Sequence, residues 1–202
     1  MNALIVGNRP LTKSIIQISK DKMIIAADGG ADKLLEYEIL PDKVIGDFDS
    51  ISDKAATKLE DWLILNKDIQ KTDLEKAVDY AIERGAKKIQ IVGWSGGRID
   101  HTLAALGLAF IPNVELVDDK FVVKVISDLE VISGEKGTLF SLIAMPEARV
   151  SIDGARWELN QEKLRMSGRG IHNEIGTSGK VSVQCHSGKL LLVKGNFVLH
   201  HS

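Results

Sequence analysis

Val44-Ile45-Gly46-Asp47-Phe48-Asp49-Ser50 is the stretch around which the rest of the chain can be organised. Val44 and Ile45 end a buried strand, Gly46 lets the backbone turn, and carboxylates follow at alternate positions, Asp47 and Asp49. Residues two apart at a strand end face the same way, and carboxylates so placed suit a hard cation such as Mg²⁺, which takes oxygen ligands. The same residues also fit an Asx-turn, with Asp49 or Ser50 capping the next helix. The surrounding pattern has to decide.

Apolar runs recur on both sides of this stretch. Residues 3–6 form one, closed by Gly7-Asn8-Arg9-Pro10, and residues 23–27 form another, closed by Asp28-Gly29-Gly30-Ala31-Asp32. Between the runs lie segments of helical spacing. Residues 11–19 carry Leu11, Ile15, Ile16 and Ile18, a short helix is expected at Leu34 and Leu35, and another over 54–62, before a short strand at 62–65. Thr72-Asp73-Leu74-Glu75 is a capping box that opens a helix running to Arg84, with Leu74, Ala77, Val78, Ala81 and Ile82 inward and Gly85 at its end. A strand at 89–92 leads into Gly93-Trp94-Ser95-Gly96-Gly97-Arg98-Ile99-Asp100-His101, an apolar helix over 102–110 and a strand at 114–117. Strands alternating with helices give an α/β domain with an open parallel sheet in three layers, whose ligands bind outside the carboxyl ends of the strands. All the acidic and glycine-rich stretches fall at those ends.

From about Ser127 the texture changes. Short β-like runs at 129–132, 138–143, 148–152, 180–185 and 189–193 are separated by Gly, Pro or Ser, which reads as a small antiparallel β-sandwich. The expected domains are 1–126 and 127–202.

Composition excludes several classes. The 202 residues are 44% hydrophobic and 27% charged with a net charge of −2, which argues neither for nucleic acid nor for a membrane surface. A chain of this length buries roughly 70% of its unfolded surface and needs no staple. Cys185 has no partner for an intramolecular disulfide. With no signal-like start and no apolar run long enough to span a bilayer, a cytoplasmic protein is expected. His200-His201-Ser202 is given no role.

Four stretches suit chemistry. Asp28-Gly29-Gly30, between a strand and a helix, lets phosphate approach backbone N–H groups, or is a tight turn. Thr72 fits a helix cap, and Asp73 either complements the helix dipole or joins Asp47 and Asp49 around a metal. Lys71 beside them is a candidate for phosphate. In Gly96-Gly97-Arg98-Ile99-Asp100-His101 the glycines make room, and Arg98 offers a planar donor fork while Asp100 adds a carboxylate, or the two form only a salt bridge and N-cap; His101 fits a satisfied polar residue of the first helical turn.

Together these residues resemble the thiamine pyrophosphokinase family: Asp28-Gly29-Gly30-Ala31, Gly46-Asp47-Phe48-Asp49-Ser50, Thr72-Asp73 and Gly96-Gly97-Arg98-Ile99-Asp100-His101, in that order. Gly154-Ala155-Arg156-Trp157-Glu158-Leu159 is similar to that family's glycine-x-x-aromatic-x-leucine segment, and Lys189-Leu190-Leu191-Leu192-Val193 to its closing strand. The resemblance implies diphosphate transfer from ATP to the hydroxyl of thiamine, giving AMP, in homodimers whose sites lie between subunits. It further implies ATP at Asp28, Gly29, Gly30, Thr72 and Arg98, and thiamine at Trp157, His172 and Asn173. The chain departs from the family at Gln70, at Ala105 in place of asparagine, and at His172 in place of serine.

The chemistry expected is Mg²⁺ held by Asp47, Asp49 and either Asp73 or Asp100, with Arg98 meeting developing charge and Asp73 or Asp100 as base. Trp157 either stacks on a flat cationic acceptor or fills the sandwich core. Two rival readings stand beside this one. Asp47-Phe48-Asp49 as an aspartyl-phosphate motif would release inorganic phosphate without ATP. A non-catalytic relative would bind nucleotide or thiamine and make no AMP.

Overall fold

A computed structural model describes residues 1–198, with the side chains at 16 and 196–198 left aside, so His200-His201-Ser202 lies outside the described residues. The chain divides into two compact units, Met1–Asp118 and Asp119–Ser202.

The first unit is built on a parallel sheet. Its strands are β1 (Asn2–Val6), β2 (Met23–Ala27), β3 (Lys43–Gly46), β4 (Leu63–Leu65), β5 (Lys88–Val92) and β6 (Val114–Val117), in the order β6-β5-β1-β2-β3-β4. Each neighbouring pair is parallel. Residues 3–6 of β1 are completely buried, as an unbroken apolar run in a central parallel strand should be. The helices are α1 (Ile15–Ile18), α2 (Gly30–Leu35), α3 (Asp53–Lys58), α4 (Asp73–Glu83) and α5 (Ile99–Leu108). α4 packs on β1, β2 and β3, and α2 on β1 and β2. The chain steps outward from β1 to β4 and then returns to place β5 on the other side of β1. That reversal leaves a crevice at the carboxyl ends of β1 and β5.

Several elements differ from their sequence patterns. The helix expected over 11–19 shrinks to α1, because Pro10 and a turn closed by Ile15 N–H to the Thr12 carbonyl hold the preceding residues. The one expected over 54–62 stops at Lys58 and tightens into a 3₁₀ turn, Glu60–Trp62. α5 begins at Ile99 rather than Thr102. On α4 the apolar face is displaced: Ile82 is 46% exposed, while Lys76 is 4% exposed.

The second unit is antiparallel. It comprises β7 (Phe121–Ile126), β8 (Leu129–Ser133), β9 (Thr138–Asp153), β10 (Leu159–Arg165), β11 (Asn173–Glu174) and β12 (Lys180–Val198). β12 pairs with β9 along most of its length, with β8 through 180–184 and with β7 through 190–195. One apolar cluster, including Phe140, Leu142, Val150, Val183 and Leu192, fills the unit. The runs at 138–143 and 148–152 are one strand rather than two, as are those at 180–185 and 189–193. Pro146 and Gly188 were expected to separate them. Instead they lie where the β9–β12 register shifts, and Gly188 (φ 81°) sits so close that a Cβ would come 2.2 Å from the Glu147 carbonyl oxygen. β7 and β10 had no clear pattern. β7 pairs with β12, and the two compact units divide between Asp118 and Asp119, eight residues before the domain boundary expected from the sequence.

α4 carries the capping box that its sequence announced. Thr72 Oγ1 accepts from Glu75 N–H at 3.3 Å, and Glu75 Oε2 accepts from Thr72 N–H at 2.7 Å. Thr72→Ala is expected to cost about 1 kcal/mol in urea unfolding, and Thr72→Ser close to nothing. Equal stability of the two variants would show that the hydroxyl contributes nothing.

Candidate active site

The loops after β1 and β5 are tied together. Gly7 N–H donates to the Val92 carbonyl at 2.9 Å and Arg9 N–H to the Gly93 carbonyl at 3.1 Å. A Cβ on Gly7 would lie 2.5 Å from the Gly93 oxygen, so only glycine allows this approach. These loops form one wall of a cleft of ≈ 220 Å³, completed by Asp28, Ser50, Thr72 and Asp73, with His101 and Ala105 of α5. His101 reads in the sequence as a satisfied polar residue of the first helical turn; Asn8 and Arg9 were not foreseen here. A loop letter next to a strand end was their only signal.

Three carboxylates meet at this end of the sheet. Asp28 follows β2, Asp47 follows β3, and Asp73 is the first residue of α4; their oxygens lie within 4.8 Å of one another. Asp28 is 3% exposed and has φ 44°. Its Oδ2 accepts from Ser50 N–H at 3.2 Å, but its Oδ1 is buried without a hydrogen-bond partner. Burial raises its pKa to about 6; the Ser50 N–H opposes this, while Asp49 and Asp73 add to it. An orphaned buried oxygen beside two further carboxylates fits a hard divalent cation. The sequence assigned Asp28 to nucleotide contact and not to the carboxylate cluster.

Lys76, one turn into α4, supplies the balancing charge. Its Nζ donates to Asp73 Oδ1 at 2.9 Å. Burial opposes the ammonium, but the Asp73 hydrogen bond and the charges of Asp73 and Asp47 outweigh it and hold its pKa above the ordinary value.

Other expected members are placed differently. Asp49 stands against Asp28 but outside the trio, because Phe48 adopts φ 67° and turns the chain between the two carboxylates. Gly46 ends β3 without a left-handed turn, and its role is proximity: a Cβ there would lie 2.9 Å from Asp28 Cβ. Asp100 does not join the trio. Arg98 grips it with Nε at 3.1 Å and Nη2 at 2.6 Å, and that hydrogen bond lowers its pKa to about 2. Arg98 and Asp100 thus satisfy each other at the surface. Lys71 is paired with Asp79 at 2.5 Å, away from the cleft. Gly29 lines the cleft and Gly30 starts α2, where a Cβ would lie 2.0 Å from the Val6 oxygen.

A second cavity, ≈ 580 Å³, lies within the β unit and is lined by Phe121, Phe140, Arg156, Trp157, His172 and Glu174, among others. Trp157 is 51% exposed, so it is a wall of this cavity and not a core filler. Asn173 is buried and already committed. Its Oδ1 accepts from Trp157 N–H at 3.1 Å and Glu174 N–H at 2.9 Å, and its Nδ2 donates to the Trp157 carbonyl at 2.7 Å. Expected to bind a ligand, it is seen here joined to the backbone of Trp157 and Glu174. His172 has φ 61° and lines the cavity, its N–H donating to Ser141 Oγ at 3.2 Å. Arg156, which had no predicted role, lies 4.5 Å from the Trp157 ring centroid and bonds Glu174 Oε1 at 2.8 Å.

With this geometry in hand, comparisons with known proteins are informative. Residues 16–117 match the family described as thiamin pyrophosphokinase, catalytic domain, and residues 127–190 match thiamin pyrophosphokinase, vitamin B1 binding domain. The chain is 36% identical over 90 residues to a Bacillus subtilis protein named thiamine pyrophosphokinase, an alignment spanning 43% of this chain and 42% of that relative. The crystal structure of thiamine pyrophosphokinase from Bacillus subtilis superposes with a TM-score of 0.87 at 24% identity, over 96% of this chain and 99% of that one. A probable thiamine pyrophosphokinase from Staphylococcus saprophyticus gives 0.76 at 28%, over 98% and 100%.

The raised pKa of Asp28 predicts how stability varies with pH. Below about pH 4 the carboxyl is protonated in both states; between about 4 and 6 the unfolded chain gives up a proton that the folded one retains. Asp28 therefore costs more stability as pH rises through that window, and the cost levels off above about 6. Asp28→Asn should raise the melting temperature of metal-free protein more at pH 7 than at pH 4. Mg²⁺ at pH 7 should then raise the wild type's melting temperature and leave the variant's nearly unchanged. A pH-independent difference would refute the assignment.

Proposed function

This chain belongs to the thiamin pyrophosphokinase family, and on that footing we propose that it transfers the diphosphate of ATP to the hydroxyl of thiamine, releasing AMP. The observation that carries the reading is the trio Asp28, Asp47 and Asp73, which follow β2, follow β3 and open α4 at the carboxyl end of the first sheet. Mg²⁺ held there would neutralise polyphosphate charge and favour in-line attack on phosphorus. Lys76 fixes Asp73 by one oxygen and leaves the other for the cleft. Of the two bases left open by the sequence, Asp73 is the one that lines the cleft, whereas Asp100 is paired with Arg98 at the surface. Gly29 and Thr72 line the same cleft and are assigned to ATP.

The acceptor is assigned to the cavity of the β unit. Its exposed tryptophan suits a flat cationic heteroaromatic, and Asn173 anchors the main chain of that residue. The aspartyl-phosphate alternative is weaker, since Asp47 follows the third strand and clusters with two other carboxylates. We also assign the protein to the cytoplasm and to a homodimer. Exposed Ile99 and Leu103 on α5 are apolar surface that association would cover, and no helix among the described residues is long and apolar enough to cross a membrane.

The decisive test is incubation with Mg-ATP and thiamine, following AMP and thiamine diphosphate by chromatography. Asp47→Asn is expected to lower turnover by about two orders of magnitude or more while the fold persists. Nucleotide binding without AMP would point to the non-catalytic alternative. A separate outcome concerns Arg156, whose guanidinium already occupies one face of Trp157 and repels a cationic ligand. Arg156→Ala should bind thiamine about threefold more tightly or better, and Trp157→Ala should bind it much more weakly. Weaker binding by Arg156→Ala would mean that the arginine contacts the ligand favourably.

A further inference from the structure

The first cleft is lined by a second kind of charged group, the guanidinium of Arg9. Arg9 follows β1 in the loop Gly7-Asn8-Arg9-Pro10, and its main chain is fixed by the bond to the Gly93 carbonyl. Pro10 further confines Arg9 to extended backbone. Its side chain runs across the cleft wall onto Gly97. A Cβ built on Gly97 would lie 2.2 Å from Arg9 Cζ and 2.5 Å from both Nε and Nη1. No carboxylate among the described residues pairs with this guanidinium, although Asp28 and Asp73 line the same cleft. Arg98, the arginine expected to meet phosphate, is tied to Asp100, and its side chain is 73% exposed.

A guanidinium is charged at every working pH and presents a rigid planar fork of donors that matches phosphate oxygens. Left without a carboxylate beside a metal-type cluster, it is a ready anion site. We propose that Arg9, lying on Gly97, is the residue that grips the polyphosphate chain of the nucleotide, and that Gly97 is glycine to leave room for it. The proposal rests on the assignment of ATP to this cleft. Gly97 is thereby a specificity element acting through Arg9: its backbone is not left-handed, so an alanine there disturbs the guanidinium rather than the turn.

The test is calorimetric binding of ATP and of adenosine to wild type, Arg9→Ala, Arg9→Lys, Gly97→Ala and the Arg9→Ala/Gly97→Ala double variant, with melting temperatures recorded for each. Arg9→Ala should weaken ATP binding about tenfold or more and leave adenosine unchanged, since a charge-assisted bond to phosphate is lost. Arg9→Lys should recover only part, because the fork is missing. Gly97→Ala should weaken ATP as Arg9→Ala does and add nothing further in the double variant. ATP affinity within twofold of wild type in Arg9→Ala, or additive losses in the double variant, overturns the proposal alone. Absence of ATP binding by the wild type overturns the nucleotide reading and this one with it.

Discussion

Three carboxylates held within 4.8 Å of one another are the constraint on which the first unit turns. Like charges that close repel, and Asp28 is buried as well, so the arrangement calls for a raised carboxyl pKa and an internal counter-charge. Both are present. The Asp28 carboxyl is pushed up to about 6, and Lys76 is buried against Asp73 although its burial alone would favour the neutral amine. The same features that make the cluster costly to assemble make it receptive to a cation. Surrounding geometry is subordinate to it: Phe48 accepts a left-handed backbone, and Gly46 lacks a side chain so that β3 can pass close to Asp28. Strain of this kind is tolerated where the site requires it.

The β unit solves a different problem, that of presenting a large aromatic ring at a surface without letting it collapse inward. Asn173 does this with three hydrogen bonds to the backbone of its neighbours, two of them to Trp157 itself. Arg156 covers one face of the exposed ring and is in turn anchored to Glu174. An aromatic surface is thus kept available yet shielded from non-specific contact, at the expense of a competitor that any cationic ligand must displace or avoid.

Much of this was legible in the sequence. Parallel strands announced themselves as unbroken apolar runs, the α4 cap was spelled by Thr72 and Glu75, and the acidic residues fell at strand ends, where the topology opens its crevice. What was not legible depended on distant pairing or local twist. Asp28 looked like a turn residue because nothing local says that β3 passes beside it. Asp47 and Asp49 looked equivalent because alternation assumes extended backbone, and Phe48 is not extended. For Arg98 and Asp100 the sequence left a functional pair and a salt bridge both open, and the ion pair between them depends on a side-chain rotamer that no local pattern specifies. β9 and β12 read as four strands because Pro146 and Gly188 resemble turn signals, whereas they mark shifts of register within continuous strands.

β12 lies between β9 on one side and β7 and β8 on the other. In the order of synthesis it comes after every strand it joins. On a ribosome, β7, β8 and β9 would therefore emerge and wait with open hydrogen-bonding edges until β12 arrived to bridge them. The unit cannot assemble piecemeal from its beginning, since its central strand is its last. A chain interrupted before Lys180 would lose the middle of its sheet rather than a margin. Quality control by proteases should consequently act on truncated chains of this protein as on unfolded ones, while the parallel-sheet unit, complete by Asp118, could already be folded.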